Sequence, residues 1–299
     1  VSKLLVGIAA GAIALLCAAA AAGQDGLSLM KVDPNARPSG MGGAFVSIAG
    51  DPNGSPYNPA SAAQSNHFGA TFSHIAYWEN ISMENAFFAA PLTGRLHMHG
   101  GIRYSSVGDL EMRQSPVAVP DALFDAHDVS FKLGLAYQFN QYIAAGFASG
   151  WYMEKIEAWH GSSFNTDMGV LVTPKQNVNV GLSVTSLGPN FNLAKSGAVE
   201  SRAIKLPTTY RIGGSYLYRK YLGAADVVVA DSKAHLHVGA EAKLHEMLTI
   251  RAGYMTGYDS KNFTAGAAFT RRSLTIDYAF VPYSNDLGTS HLFSFTFEL

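Results

Sequence analysis

The sequence predicts an all-β fold: a transmembrane antiparallel β-barrel of about fourteen strands with an N-terminal plug segment. Three observations predict it. From residue 67 onward, apolar and polar side chains alternate with a period of two, the mark of a strand with one apolar face. The alternating segments are 9 to 12 residues long. A tilted strand needs about 9–11 residues to cross a bilayer, whereas soluble strands run to about 5–6. The connections between them also sort by parity, short ones alternating with ones of mixed and often greater length, as in bacterial barrels with short periplasmic turns and longer outer loops.

Composition supports a chain that meets little water. Charged residues make up 14% and hydrophobic residues 48% of 299 residues, with 14 Tyr and 17 Phe. A soluble domain carries about 25% charge. The formal net charge is -1, with neither a basic excess for nucleic acid nor an acidic run for a cationic partner.

Residues 1–22 read as a signal peptide. Lys3 precedes an apolar stretch from Leu4 to Ala22 that ends in small residues, the Ala-x-Ala type of cleavage site. A single transmembrane helix is the other reading of such a stretch. The only cysteine, Cys17, lies inside it, preceded by Leu15 and Leu16, a poor context for lipidation. The chain after residue 22 holds no cysteine and no second long apolar run, so a membrane reading there is a barrel reading.

Residues 23–66 do not alternate and form the expected periplasmic or plug segment. Gly40, Gly42 and Gly43 lie in Arg37-Pro38-Ser39-Gly40-Met41-Gly42-Gly43-Ala44-Phe45, suited to tight turns or close backbone approach. They do not make a dinucleotide fingerprint, because no strand precedes them and no long helix follows. Asn58 is placed to cap a short helix, with Pro59 in its first position and Ala60 to Ala63 continuing it.

Residues 67–299 form the expected barrel. The alternating segments are 68–78, 81–90, 96–105, 129–138, 142–153, 163–172, 177–186, 208–218, 221–230, 234–244, 248–256, 262–270, 273–282 and 290–299. In 129–138, for example, Val129, Phe131, Leu133, Leu135 and Tyr137 oppose Ser130, Lys132, Gly134, Ala136 and Gln138. The segment 221–230 is the weak one, with Asp226 between apolar neighbours. The even connections have 5, 3, 4, 2, 3 and 2 residues, and the odd ones 2, 23, 9, 21, 3, 5 and 7. A β-sandwich has no reason to sort its loops this way. Aromatic residues such as Tyr77, Tyr137, Tyr142 and Tyr218 fall towards strand ends, as interface girdles do.

The run from Ala36 to Ala63, with Met-Gly-Gly-Ala-Phe-Val and the later Asn-Pro-Ala, resembles the opening of the PorV/PorQ family. The closing Gly288-Thr289-Ser290-His291-Leu292-Phe293-Ser294-Phe295 is similar to that family's last strand. The resemblance spans the chain after residue 22, with specific motifs at its two ends. Leu299 stands where barrels often end in Phe. The resemblance implies a fold like the FadL transporters, an outer-membrane location, and a part in a type IX-like secretion system. In that role the barrel accepts or anchors secreted cargo proteins at the cell surface, with other secretion components and outer-membrane lipid as partners. The alternative is a FadL-like transporter for small hydrophobic compounds.

Little in the chain suggests chemistry. His97 and His99, and His235 and His237, share strand faces as metal ligands do, but no cysteine or third ligand pattern accompanies them, and lumen polarity explains them equally. No Gly-x-Ser-x-Gly elbow is present. We therefore expect no catalytic residues, cofactor or metal. The inward charges Lys132, Asp167, Arg211, Glu241, Lys243, Arg251, Asp277 and Glu298 are sparse and mixed in sign, suited to pairing across the lumen or holding a plug. The long connections 106–128 and 187–207 are the candidate contact surfaces, through Val117, Leu123 and Phe124 in the first and Phe191, Leu193 and Ile204 in the second. Such residues can meet a partner at the rim or fold inward as a lid.

Overall fold

The computed structural model describes residues 28–77, 81–115, 118–195, 198–199, 203–285 and 287–299. The segment 1–22, Cys17 within it, and Val117 lie outside the described residues. Fourteen long strands follow in order: β1 Gly69–Ala76, β2 Ile81–Thr93, β3 Leu96–Met112, β4 Ala122–Asn140, β5 Ile143–Ile156, β6 Trp159–Lys175, β7 Val178–Leu187, β8 Thr209–Tyr218, β9 Tyr221–Ala230, β10 Lys233–His245, β11 Leu248–Met255, β12 Phe263–Arg271, β13 Leu274–Pro282 and β14 Thr289–Glu298. Each pairs antiparallel with its chain neighbours. β1 also pairs with β14, from Gly69↔Glu298 to Ala76↔His291, so the sheet closes. Closure leaves no row of unpaired peptide groups, which hydrocarbon would not tolerate.

The alternation sorts side chains as two different solvents require. Leu133 on β4 is 59% exposed on the outer surface, whereas Ala136 on the same strand is 1% exposed and faces inward. Phe293, Phe295 and Phe297 on β14 are exposed, and Ser294 and Thr296 between them are buried. His97, His99, His235 and His237 all face the lumen side and are buried. Among the described residues no cluster of His, Cys, Asp or Glu is arranged to hold a metal ion.

All six even connections are two-residue turns, at 94–95, 141–142, 176–177, 219–220, 246–247 and 272–273. The even turns are the periplasmic ones in a barrel of this kind, which puts the odd connections at the outer end.

Two expected outer loops differ from the sequence reading. The connection 106–128 is mostly strand, because β3 and β4 run on to residues 112 and 122 and leave only 113–121 between them. Similarly, β5 and β6 meet at the short turn 157–158. Above the membrane both faces of a strand are wet, so the alternation that marks a strand fades while its hydrogen bonds continue. The connection after β7 keeps its expected length, 188–208, and carries two-residue strand segments Ala194–Lys195 and Ala198–Val199. β2 to β6 have 13 to 19 residues, and β7 to β14 have 8 to 13, so one side of the barrel rises higher than the other.

Candidate functional site

The lumen is occupied by the chain that precedes β1. Its short helical turns are Ser28–Lys31, the α-helix α1 Ala36–Gly40, Pro52–Gly54 and Pro59–Gln64. None is long enough to satisfy its own peptide groups, so the wall must do so. The inward side chains supply the partners. Ser294 Oγ accepts from Ala36 N at 2.8 Å, and Thr264 Oγ1 accepts from Gly42 N at 3.0 Å. Asp226 Oδ2 accepts from Phe45 N at 2.7 Å and Val46 N at 2.9 Å. Asn85 Nδ2 donates to Pro34 O at 2.9 Å, and Ser183 Oγ donates to Tyr57 O at 2.6 Å. Asp226, which weakens the pattern of β9, is therefore one of the plug's anchors.

Wall glycines let the plug backbone lie directly on the sheet. A methyl group added at Gly253 would sit 2.1 Å from Gly42 N, at Gly239 2.4 Å from Met41 O, and at Gly181 2.2 Å from Val46 O. Gly42 itself has φ +64° and Gly43 φ +70°, the left-handed region open to glycine. Gly40 faces Gly266 across the same contact. Asn58 accepts from Ala60 N at 3.0 Å as the cap of the turn beginning at Pro59, and its amide donates to Val46 O at 2.9 Å and Val170 O at 3.1 Å. Ala60, Ala62 and Ala63 then pack on Ala89, Ala136, Ala144 and Leu171.

A buried charge chain ties plug to wall in this lower part. Arg37 bridges Asp51 on the plug and Glu241 on β10, with Nε and Nη2 at 3.1 Å from the Glu241 oxygens. Arg251 on β11 then donates to Glu241 and to Asp277 on β13, each at 2.6 Å. Burial works against the charge on Arg37, but Glu241 and Asp51 outweigh it and hold its pKa above the ordinary value.

Above the plug lies a cavity of about 350 Å³. Its floor includes Asp33, Pro34, Pro56 and Tyr57, and its walls include Arg103, Lys132, Asp167, Arg211, Tyr258 and Lys261. Met30 and Lys31 line it from within, because the amino-terminal part of the plug rises towards the outer mouth, where Lys31 pairs with Asp231 in the 231–232 turn. Lys132 Nζ reaches Asp167 at 2.7 Å. Arg103 donates to Met30 O at 2.9 Å and Val32 O at 2.8 Å. Tyr57 Oη donates to Asp33 at 2.6 Å; burial first, and then Asp33, keep this phenol protonated far above its ordinary pKa. Tyr258 stacks on His235 at 4.0 Å, and burial pushes its hydroxyl up to about 12.

The sequence-derived candidates fall in three places. Gly40, Gly42, Gly43, Asn58, Pro59 and Ala60 meet the wall in the lower lumen. Leu123 is 58% exposed on the tall β3–β4 hairpin, with Phe124 half-buried beside it. Phe191 is only 6% exposed and packs with Tyr152, Leu206, Leu193, Ile204 and Met30. An antiparallel bridge from Phe191 to Ile204 closes that loop, which folds over the lumen side. Two lumen charges, Arg103 and Lys261, are not among those that the sequence pattern places inside. Arg103 shares the parity of His97 and His99 and was findable, whereas Lys261 sits in a non-periodic outer connection.

No family model matches this chain, and no curated relative matches it. Solved structures do. The Pseudomonas putida toluene transporter TodX aligns over 90% of this chain and 98% of its own, with a TM-score of 0.64 and 12% identity. A Pseudomonas aeruginosa FadL homologue aligns over 88% and 98%, with a TM-score of 0.62 and 12% identity. A TodX deletion variant described as a monoaromatic hydrocarbon channel aligns over 89% and 99%, with a TM-score of 0.64 and 12% identity. The fold is that of the FadL-type barrels. Identity at this level carries fold alone, and none of these likenesses supports the PorV/PorQ resemblance itself.

Proposed function

We propose that the protein is an outer-membrane uptake barrel, in which a small organic compound enters from outside, rests in the cavity above the plug, and passes inward when the plug shifts. The observation that carries this reading is the position of the cavity, on the outer side of a plug that packs against the wall all round. Pockets of this size suit small ligands. The FadL-type fold supports the same reading, since its solved relatives include a toluene transporter. The lining here is more polar than a hydrocarbon alone would need.

Passage requires plug movement, which can be blocked. Ser215 Oγ on β8 donates to Ser47 O of the plug at 3.3 Å. With Ser47→Cys and Ser215→Cys together, oxidation should abolish uptake of radiolabelled small aromatic compounds by intact cells, and reductant should restore it. Uptake equal to that of cells lacking the protein, or indifferent to the cross-link, overturns the reading.

A second reading, cargo acceptance of PorV/PorQ type, has one feature in its favour. The tall hairpin holds Val119 and Leu123 exposed above the membrane zone. Tagged protein purified from native outer membranes in mild detergent should then retain secreted proteins that share a C-terminal domain; recovery of the barrel alone removes this reading.

A further inference from the structure

The cavity above the plug carries more positive charge than its own acids use. Its lining holds five cationic side chains, Lys31, Arg103, Lys132, Arg211 and Lys261, against three acids, Asp33, Asp167 and Asp231. Lys31 is taken by Asp231 and Lys132 by Asp167. Arg103 spends its donors on plug carbonyls. Arg211 and Lys261 remain, and among the described residues neither makes an ion pair or hydrogen bond.

Both are held by rings instead. The Arg211 guanidinium lies 5.1 Å from the Tyr57 ring centre, and Lys261 Nζ lies 4.9 Å from that of Tyr258. Arg211 Nε and Nη1 are buried and unpartnered. The nearby carboxylates make their hydrogen bonds to other groups: Asp33 accepts from Tyr57, and Asp226 accepts the peptide N–H groups of Phe45 and Val46 through Oδ2, while its Oδ1 has no hydrogen-bond partner. A buried unpaired cation is costly, and an arginine fork without an acid is a ready receptor for an oxyanion. Burial lowers the Lys261 pKa, with attraction from Asp33 opposing it and repulsion from Arg211 adding to it.

We infer that the cavity is a binding site for a compact organic anion, whose carboxylate or phosphate head is held between Arg211 and Lys261. This rests on the uptake reading above and names its substrate class. The ring faces of Tyr57 and Tyr258 already serve the two cations, so the head group rather than an apolar body supplies the recognition.

The test is equilibrium dialysis of the whole protein in neutral detergent with radiolabelled benzoate, and with benzyl alcohol as its uncharged counterpart. Benzoate should bind at least tenfold more tightly. Arg211→Gln and Lys261→Met should each weaken benzoate about 10- to 100-fold, the worth of a charge-assisted hydrogen bond, and leave benzyl alcohol unmoved. Displacement by phenyl phosphate or inorganic phosphate at lower concentration than by unlabelled benzoate assigns the head as phosphate; the reverse order assigns it as carboxylate. Benzoate binding no tighter than benzyl alcohol overturns the inference, as does binding indifferent to both substitutions. Should either variant fail to fold, the comparison of the two ligands on the unaltered protein still decides. Benzyl alcohol bound and taken up without benzoate preference removes the anion site and keeps the uptake reading. Benzoate bound by a barrel whose uptake ignores the 47–215 cross-link does the opposite.

Discussion

The lower and upper halves of the lumen are built from the same kinds of residue and use them differently. Below, Arg37 and Arg251 are each bracketed by acids, Asp51, Glu241 and Asp277, and wall glycines let plug and sheet meet backbone to backbone. Above, Arg211 and Lys261 line the cavity, each against an aromatic ring and neither hydrogen-bonded to an acid. Charge that is closed off by its partners holds a structure together; charge left open is available to something that arrives. The difference separates the part of the barrel that keeps the plug seated from the part that can recognise a ligand.

Substitutions should break this contrast unequally. The largest effect belongs to Glu241→Ala, which removes the acid that Arg37 and Arg251 share in the packed half and leaves each with one, and it should cost about 3–5 kcal/mol in urea unfolding from lipid vesicles. Leu133→Arg tests the wall independently of the plug: on the lipid face near mid-membrane it should cost about 2–4 kcal/mol in the same assay. Gly253→Ala forces a methyl into the Gly42 backbone and should cost about 1–3 kcal/mol, with increased protease access to the plug. Asn58→Ala removes a cap and should cost about 1 kcal/mol. Arg211→Gln, in the open half, should change stability by less than about 1 kcal/mol, the worth of its contact with the Tyr57 ring. A large loss of stability from Arg211→Gln would mean the two halves are not distinct.

Much of the wall was legible because lipid and lumen impose opposite demands on successive residues. Leu133 and Ala136, or Phe295 and Ser294, report that division in the order of the letters. The strand ends above the membrane were not legible, because residues 106–112 and 122–128 meet water on both sides and need no alternation. The plug could be located by what it lacked, and its glycines and the Asn58 cap stood out, but its route could not be read. That route depends on partners distant in the chain, such as Asp226 for Phe45 and Val46. Parity also placed Arg211 and Lys132 inside, but only the fold distinguishes the cation that has an acid from the one that does not.

The path of the plug constrains assembly. Residues 30 and 31 lie near the outer mouth and residue 69 at the periplasmic end, so the described chain runs the length of the lumen, from outer mouth to periplasmic end, before the first strand begins. The seam between the first and last strands is the final junction that the chain order allows. A finished barrel would have to be threaded by a free end through a space already lined with close backbone contacts. The simpler course is that the strands wind around this segment as around a mandrel and the seam then shuts. The rate of closure would then be set partly by residues that belong to no strand at all.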